Sequence, residues 1–493
     1  MASLSQLSSQ CSRSVIVRLA PPEFDQLRAL AFRRYPHHEW GTFARFGWRD
    51  TPDDLILTLA GLDSPTPGDL DEDVGNISIA ERYTLRAALA AETHPLAVGV
   101  IHSHPRNCAP YPSLIDDDMD TYYADYFSGF APGRPYVSLI LSEMNGELAI
   151  SGRVFWEKNW LLAERVVAER SPLSTWVAGV RSDSQESRHE RTARLRAAFG
   201  DQAAARLRRS TVAVVGAGGT GSAAIEVLAR AGVGRLIIVD PDQLEESNLE
   251  RVHGSRPEHA IERTPKVSLA RDHVRSIDPA VEVSPYIGSL PQREIIDAIV
   301  TADVALGCTD QQHSRLALSD LTFRYLVPSI DCGVMLEGTN GAVTGQIAQF
   351  VRFLAADSCA LCRGMVVSHR LAQELMSEAE RVQRRAAAAA AHARGDDAGA
   401  YWHDEPQLNT VGYLTTMTGA LAAGYAIGWI TGRFDPPFSR LQMNLVQQFF
   451  DVTNAEELPR SDCVCRRVRG WADQAAIDAL ITAPTHWPPV RRV

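Results

Sequence analysis

At 493 residues the chain is long enough for two or three domains, and a composition of 45% hydrophobic and 22% charged residues is that of an ordinary globular protein. A formal net charge of −11 argues against nonspecific nucleic-acid binding, while leaving room for a local basic face. The opening Met-Ala-Ser-Leu-Ser-Gln has neither the basic start nor the apolar core of a signal peptide; with cysteines in metal-like spacing, this points to a reducing cytoplasm.

In chain order, residues 1–12, rich in Ser and Gln, read as a disordered tail. Val15 to Leu19 reads as a strand, Phe24 to Tyr35 as an apolar-periodic helix, and Ile77 to Ala91 as another helix. Val98 to Ile101 reads as a buried strand running into His102-Ser103-His104-Pro105. Strand side chains alternate, so His102 and His104 point to one side and can hold one metal ion. Seven residues separate Pro105 from Ser113, and Cys108 lies among them. Ser113 and Asp116 are three apart, the spacing of one helical face, and Asp116 can supply an oxygen as third ligand. Three protein ligands leave a fourth position open, the form of a catalytic rather than a structural zinc site. Tyr136 to Ser142 reads as the following strand, and Trp156 to Val177 as a helix leading out of this domain.

The ordered set of Glu39, in His-His-Glu-Trp-Gly, then His102, His104 and Pro105, then Ser113 and Asp116, resembles the JAMM (MPN-plus) metalloprotease family. The resemblance implies that His102, His104 and Asp116 are zinc ligands. It gives Glu39 the general acid/base role and has Ser113 steady the tetrahedral oxyanion. Trp40 stands where the family often has a small residue, which places it in a groove for the substrate tail. His37, His38, His253, His259 and His403 read as ordinary surface or loop residues.

Residues 178–190, rich in Ser, Arg and Glu, read as a linker. Beyond it, Thr211 to Gly221 is an apolar strand followed by Gly216, Gly218, Gly219 and Gly221, and Ser222 to Ala231 continues as an apolar helical pattern. A strand, a tight turn and a helix N-terminus converge backbone amides on a phosphate. Asp240, ending the strand Leu236 to Val239, suits a ribose; so far a nicotinamide or flavin enzyme fits equally well. Asn248 and Arg251, then Lys266, then Asp310 in Gly-Cys-Thr-Asp shift the balance, because a hydride-transfer site has no use for that set. Bound ATP does: cations for its phosphates and a carboxylate for Mg²⁺. Residues 188–355 resemble the adenylating domain of the ubiquitin-activating (ThiF/MoeB-like) superfamily. The resemblance gives Asp240 to the ribose, Asn248, Arg251 and Lys266 to the phosphates, and Asp310 to Mg²⁺. Arg188-His189-Glu190-Arg191 resembles the family's arginine-rich opening, which makes Arg191 a candidate finger reaching a partner's ATP in a homodimer.

Cys359-Ala-Leu-Cys362 and Cys463-Val-Cys465 can together form a closed four-thiolate structural zinc site. Residues 363–462 contain no cysteine, although related activating enzymes place their acyl-accepting cysteine in that stretch. Three routes remain open for the acyl group: direct passage to another protein, an oxyester on a hydroxyl such as Thr415 or Thr416, or Cys332 if it is reachable. Cys308 and Cys332 read otherwise as packed residues. The insert 363–408 holds a helix-favouring run, Glu374 to Ala393, and a flexible break, Gly395 to Tyr401. Val411 to Gly432 carries no charge over 22 residues but is rich in threonine, so it reads as a core helix rather than a membrane span.

The expected architecture is therefore α/β: a JAMM-type metalloprotease domain over 13–177, then a Rossmann-like adenylating domain over 191–470 with a structural zinc site, and a tail, 471–493. The two resemblances imply ATP, Mg²⁺ and two zinc ions. They also imply a ubiquitin-like protein as substrate, a conjugating-enzyme-like partner, and a homodimer without nucleic acid or membrane. Fusions of this kind are familiar from bacterial ubiquitin-like operons, some tied to antiphage defence. Activation of a sulfur carrier for cofactor or cysteine synthesis is the alternative, and a non-catalytic modifier-binding scaffold is a third.

Overall fold

The computed structural model describes residues 13–34, 38–71, 76–144, 146–168, 171–172, 174–177, 180–181, 190–339, 341–403, 410–446, 450–451 and 459–493. The expected disordered tail, and Arg188 and His189 of the arginine-rich opening, lie outside these residues.

The first domain holds β1 (Ser14–Leu19), α1 (Pro21–Ala31), β2 (Gly41–Asp50), β3 (Asp54–Asp63), α2 (Glu81–Glu92), β4 (Ala97–Ser103), α3 (Leu114–Phe130), β5 (Tyr136–Met144) and β6 (Glu147–Trp156). Five short strands follow: β7 (Asn159–Leu162), β8 (Arg165–Ala168), β9 (Ser171–Pro172), β10 (Ser174–Val177) and β11 (Val180–Arg181). The helix expected over Trp156 to Val177 is thus absent. Lys158 and Glu157 turn with positive φ and return β7 antiparallel onto β6, while β8 pairs parallel with β1. The stretch is rich in Val and Trp, which suit a pleated, half-buried surface better than a helix. The linker accordingly begins later than expected, since Val180 and Arg181 still pair with Val177 and Trp176.

The sheet runs β11-β10-β6-β5-β4-β2-β3-β1-β8-β9. β4 is buried along its whole length. Its Ala97 and Ile101 pack into one apolar cluster with β1–β3 and α1, while Val98 and Val100 pack on the other face with α2 and α3. Alternation carries His102 onto the α3 side.

The second domain opens with α4 (Ala193–Phe199), α5 (Asp201–Arg209), β12 (Thr211–Val215), α6 (Gly219–Ala231), β13 (Arg235–Val239), α7 (Pro257–Ile261), α8 (Lys266–Ile277) and β14 (Glu282–Ile287). Then come α9 (Arg293–Ile299), β15 (Val304–Gly307), α10 (Gln312–Tyr325), β16 (Ser329–Thr339), β17 (Ala342–Phe353), α11 (Ser368–Leu375), α12 (Glu378–Arg394) and α13 (Gly412–Thr431). β18 (Arg440–Asn444), β19 (Phe450–Asp451), α14 (Val464–Val468) and β20 (Arg491–Arg492) close the chain. The order β19-β18-β17-β16-β15-β12-β13-β14-β20 has parallel β14, β13, β12, β15 and β16 at its heart, covered by helices as a buried parallel sheet requires.

The run expected as one helix from Glu374 to Ala393 is two helices, broken at Met376 because Ser377 starts a new one with a capping box to Glu380. Gly395 to Tyr401 includes a short 3₁₀ turn, Ala398–Ala400. α13 packs its Leu414, Ala422, Ala426 and Ile430 into the core of the sheet; no helix among the described residues is long and apolar enough to cross a membrane. The last residues are no loose tail: Arg492 pairs with Tyr286 on the sheet edge.

The two domains meet along a seam that is partly apolar, with Ile16 and Ile56 in one buried cluster with Ile299, Val300 and Ala302, and partly polar. Arg18 donates to the carbonyls of Ala302 (2.6 Å) and Val300 (3.1 Å), just before β15. Buried Arg49 reaches Asp297, Asp473 (2.8 Å) and the Tyr325 hydroxyl (2.9 Å), and Arg165 pairs with Asp303. Residues 470–473 lie along β2 and β3: Gly470 O accepts from Gly47 N (3.1 Å) and from Thr58 Oγ1 (2.8 Å). The seam thus sits at the N-terminal end of β15, away from the ends of the strands that carry the glycine loop.

Candidate functional site

The first centre forms where β4 ends. β4 pairs parallel with β5, His102 beside Ile140, and the pairing extends one step as His104 N donates to Leu141 O (2.8 Å). This extended backbone sets His102 and His104 on one side, as the alternation predicts. Their ring nitrogens and a carboxylate oxygen of Asp116 all lie within 4.8 Å of one another. His102 Nε2 is 3.1 Å from Asp116 Oδ1, and His104 Nε2 is 3.4 Å from Asp116 Oδ2.

Asp116 is placed by a device other than the expected one. Ser113 does not share a helical face with it: Ser113 is the N-cap of α3. Its Oγ accepts from Asp116 N (3.2 Å), and its own N–H donates to Asp116 Oδ2 (2.6 Å), a reciprocal capping box. The loop before it is tied down by Ser142, whose hydroxyl donates to Cys108 O, and by Asn107 N donating to Glu143 O (2.8 Å).

These donors suit a metal ion. His104 Nδ1 donates to Ala109 O (3.3 Å), so the lone pair of the neutral ring is on Nε2 and faces the Asp116 carboxylate. Two lone pairs do not face each other at that range without a cation or a proton between them. His102 is fully buried, and neither of its ring nitrogens is aligned with a hydrogen-bond partner. Burial pushes the Asp116 carboxyl up, but His102 and His104 bring it well below the usual carboxylate range.

Glu39 stands beside this cluster: burial lowers the His104 imidazole's basicity, but Asp116 and, less strongly, Glu39 raise it. Its Oε2 accepts from Ile77 N (3.0 Å), which fixes the side chain. Trp40 is not a groove residue: it is 6% exposed and packed in the core with β1–β3. Its backbone instead grips Ser103, N to Oγ at 3.0 Å and O to N at 2.8 Å, holding Glu39 against the histidine strand. Behind the cluster, Arg153 bridges Asp117 and Asp120 (2.6 Å), and Tyr136 OH donates to Asp120 (3.0 Å). Sequence reasoning missed this buried network; the Asp-Asp-Asp-Met-Asp run of α3 was its only trace.

The second centre lies at the C-terminal ends of β12, β13 and β15. Gly216 has φ +97, and a side chain there would come within 2.5 Å of Cys308 O. A side chain on Gly219 would meet Thr415 Oγ1 at 2.7 Å, whereas Gly218, the N-cap of α6, looks into open space. That opening at a helix N-terminus is where a phosphate fits. Asp240 lies behind the loop, accepting from Ala217 N (2.6 Å) and Asp242 N (2.8 Å). Burial pushes its pKa up to about 6; Lys266 opposes the shift and Asp242 adds to it.

Lys266 starts α8 and bonds Asp242 Oδ2 (2.8 Å). Arg251 packs its side chain 3.2 Å from the position of a Gly219 Cβ. Asn248 is buried with its carbonyl oxygen capping Glu245 N (3.1 Å), so part of its work is structural. Asp310 is exposed just beyond β15, which pairs with β12 beside the glycine loop. Next to it, Glu374 of α11 accepts from the N–H groups of Gln312 and His313, tying the insert to the start of α10. Arg191, expected to reach a partner's ATP, pairs within the chain with Asp278 (2.8 Å). Cys332 is buried 3.8 Å from Cys308, and that neighbour, then burial, pushes its thiol up.

The four remaining cysteines form a third cluster. Cys359 and Cys463 sulfurs are 3.5 Å apart, and those of Cys362 and Cys465 are 3.9 Å apart. A tetrahedral zinc with Zn–S of about 2.3 Å has S···S edges of about 3.8 Å. The donor set therefore fits zinc, and the N–H of Cys362 already points at Cys359 Sγ (3.4 Å).

Comparison with known proteins bears on the second centre. SAMP-activating enzyme E1 of Haloferax volcanii is 37% identical over 124 residues, 25% of this chain and 44% of its own length. Molybdopterin-synthase adenylyltransferase of Escherichia coli is 33% identical over 183 residues, 37% of this chain and 69% of its own. Sulfur carrier protein ThiS adenylyltransferase of Bacillus subtilis is 30% identical over 132 residues, 27% of this chain and 39% of its own. The chain thus spans less than half the length of the first and third of these relatives. The crystal structure of E. coli MccB with ATP aligns over 58% of this chain and 77% of its own, at 16% identity and a TM-score of 0.42, too loose a likeness to add weight. The ThiF family profile matches residues 189–465, more than half of the 493, and the chain belongs to the ThiF family.

Proposed function

We propose that the chain uses ATP to adenylate the C-terminal carboxylate of a ubiquitin-like or sulfur-carrier protein, and that its first domain is a JAMM-type zinc peptidase acting on the same carrier or its conjugates. The adenylation half is carried by one observation: the open Gly218 cradle at the α6 N-terminus, flanked by Asp240, Lys266, Arg251 and Asp310. The amides of the cradle would take the phosphates, with Arg251 and Lys266 supplying positive charge and Asp310 holding Mg²⁺. The carrier carboxylate attacks the α-phosphorus of ATP; pyrophosphate leaves, and an acyl adenylate remains. The relatives named for molybdopterin synthase and for ThiS support a sulfur carrier as substrate, alongside the ubiquitin-like reading.

The peptidase half rests on the His102–His104–Asp116 cluster with Glu39 beside it. Zinc held by these three residues would supply Lewis acidity toward a scissile carbonyl and the acidification of water. Glu39, fixed by Ile77 N, is placed to take a proton on its carboxylate and return it to the leaving amine. The Ser113 hydroxyl retains a proton to donate while its oxygen caps α3.

The test is intact mass spectrometry of a carrier ending in Gly-Gly plus a short extension, incubated with the full chain. Loss of the extension without ATP supports the peptidase, and gain of AMP with Mg²⁺-ATP supports the adenylating enzyme. A carrier left unchanged in both arms rejects both.

A further inference from the structure

Three side chains from separate segments line up beside the glycine loop. Thr416 Oγ1 lies 3.0 Å from His253 Nε2, and His253 Nδ1 lies 2.9 Å from Glu226 Oε2. Glu226 is in α6, two turns beyond the phosphate cradle; His253 follows Arg251; Thr416 is in the second turn of α13. The neighbouring Thr415 fills the space above Gly219.

The proton positions follow from the partners. Glu226 also faces Arg230 (2.8 Å) and His273 Nε2 (3.2 Å). Burial raises its carboxyl, but Arg230, His253 and His273 outweigh this and bring it to about 2, so it is an ionised acceptor at neutral pH. His253 Nδ1 must then donate to it, which leaves the lone pair on Nε2 to accept from the Thr416 hydroxyl. A hydroxyl hydrogen-bonded to an imidazole that a carboxylate orients is the arrangement that activates a nucleophile.

Packing alone does not call for this arrangement. Thr415 and Thr418 donate their hydroxyls back to the helix carbonyls of Gly412 (3.0 Å) and Leu414 (2.8 Å), the usual habit of a helical threonine. Thr416 instead turns to His253, and it is only half-buried. His253 is held by its own backbone, N to Ser222 Oγ at 3.0 Å. Gly254, at φ +76, admits the His273 imidazole where a side chain would collide with it.

We infer that Thr416, His253 and Glu226 form an acyl-transfer relay in which Thr416 accepts the carrier's acyl group from the adenylate as an oxyester. The inference rests on the adenylation reading above. Thr416 Oγ1 attacks the carbonyl carbon of the acyl adenylate, and its proton passes to His253 Nε2. The bond from that carbon to the phosphate oxygen breaks, and AMP departs. No oxidant or further reactant is needed. A hydroxyl thereby takes the place of the cysteine that residues 363–462 do not contain.

The experiment incubates the full chain with Mg²⁺-ATP and a synthetic peptide ending in Gly-Gly. Pyrophosphate release is read in the same tube, and after acid quench and digestion the fragment bearing Thr416 is weighed. The expected result is an ATP-dependent adduct on Thr416, stable to thiols and cleaved by hydroxylamine. It should be kept in Thr416→Ser and lost in Thr416→Val, which preserves the side-chain volume, and in His253→Gln. Pyrophosphate release should continue in all three variants. Pyrophosphate release without any adduct on Thr416 would overturn the relay and leave the adenylation reading standing. No pyrophosphate from the unaltered chain would overturn the adenylation reading, and the relay with it.

Discussion

Ser113 and Asp116 hold each other through reciprocal hydrogen bonds, N–H to Oδ2 at 2.6 Å and N–H to Oγ at 3.2 Å, so the carboxylate aimed at the two histidines is part of a helix cap. Ser113→Ala removes one of these bonds. It should cost about 1 kcal/mol of stability as a lost cap, and weaken metal binding about 10- to 100-fold by loosening a ligand. Zinc competition with a chromogenic chelator, alongside thermal melts, reads both effects; unchanged affinity would show that Asp116 is fixed by other contacts.

Glu39 offers a cleaner separation, because it accepts from Ile77 N and stands outside the ligand set. Glu39→Gln should keep zinc and lower peptidase turnover by about 10²- to 10⁴-fold, the range for removing a general acid/base. Loss of zinc in this variant would make Glu39 a ligand instead.

Asp240 has a pH signature. Burial lifts its pKa to about 6, so the folded state binds that proton more tightly than the unfolded chain does. Its contribution to stability is complete below the ordinary carboxylate range of about 4 and is lost as pH rises through about 6. Ribose binding works the other way, since the ionised carboxylate is the better acceptor. ATP affinity measured by calorimetry should tighten several-fold from about pH 5 to pH 7, while the melting temperature of the nucleotide-free protein declines over the same interval. Asp240→Asn should flatten the affinity profile.

The four-cysteine cluster makes a prediction at a distance. Cys463 and Cys465 flank the start of α14, and the chain then runs to Gly470, which bonds Gly47 and Thr58 of the first domain. Cys359→Ser should reduce zinc from two ions per chain to one, and speed hydrogen exchange around residues 459–480 and at Gly47. Exchange confined to residues near the cysteines would disconnect the zinc site from the seam.

Gly47 and Gly470 are in mutual backbone contact. A side chain on Gly47 would fall on the carbonyls of Gly470 and Trp471, and one on Gly470, at φ +71, would lie 2.5 Å from Leu59 O. Gly47→Ala should cost about 1–3 kcal/mol by overpacking. Calorimetry should then show the two domains melting as separate transitions where the unaltered chain gives one.

The sequence was legible wherever chemistry forces spacing. Alternation put His102 and His104 on one side, and the glycine loop declared a strand, turn and helix at residues 211–231. Legibility failed where the decision was tertiary. Trp156 to Val177 carries Ser171-Pro172, which argues against one continuous helix, but that these residues form strands was set by the edges β1 and β6 offered them. The Ser-x-x-Asp spacing serves a helical face and a capping box equally, and only the N-cap geometry distinguishes them. The seam arginines at 18, 49 and 165 left no signal in the sequence, because their partners lie more than a hundred residues away. His253 looked ordinary because Glu226 and Thr416 reach it from two different helices.

The seam has one last implication. It joins the starts of the Rossmann strands to the end of β2 that bears Arg49, whereas the histidine cluster lies by the opposite end of β2, where Gly41 pairs with His102. On the proposed function, a carrier's flexible tail would not be handed directly across the seam from one centre of a chain to the other. It would let go, diffuse and be captured again. A competing carrier added between the two steps should dilute the product, and the relative rates of release and recapture, rather than any tunnel, should govern how many cleaved tails become activated ones.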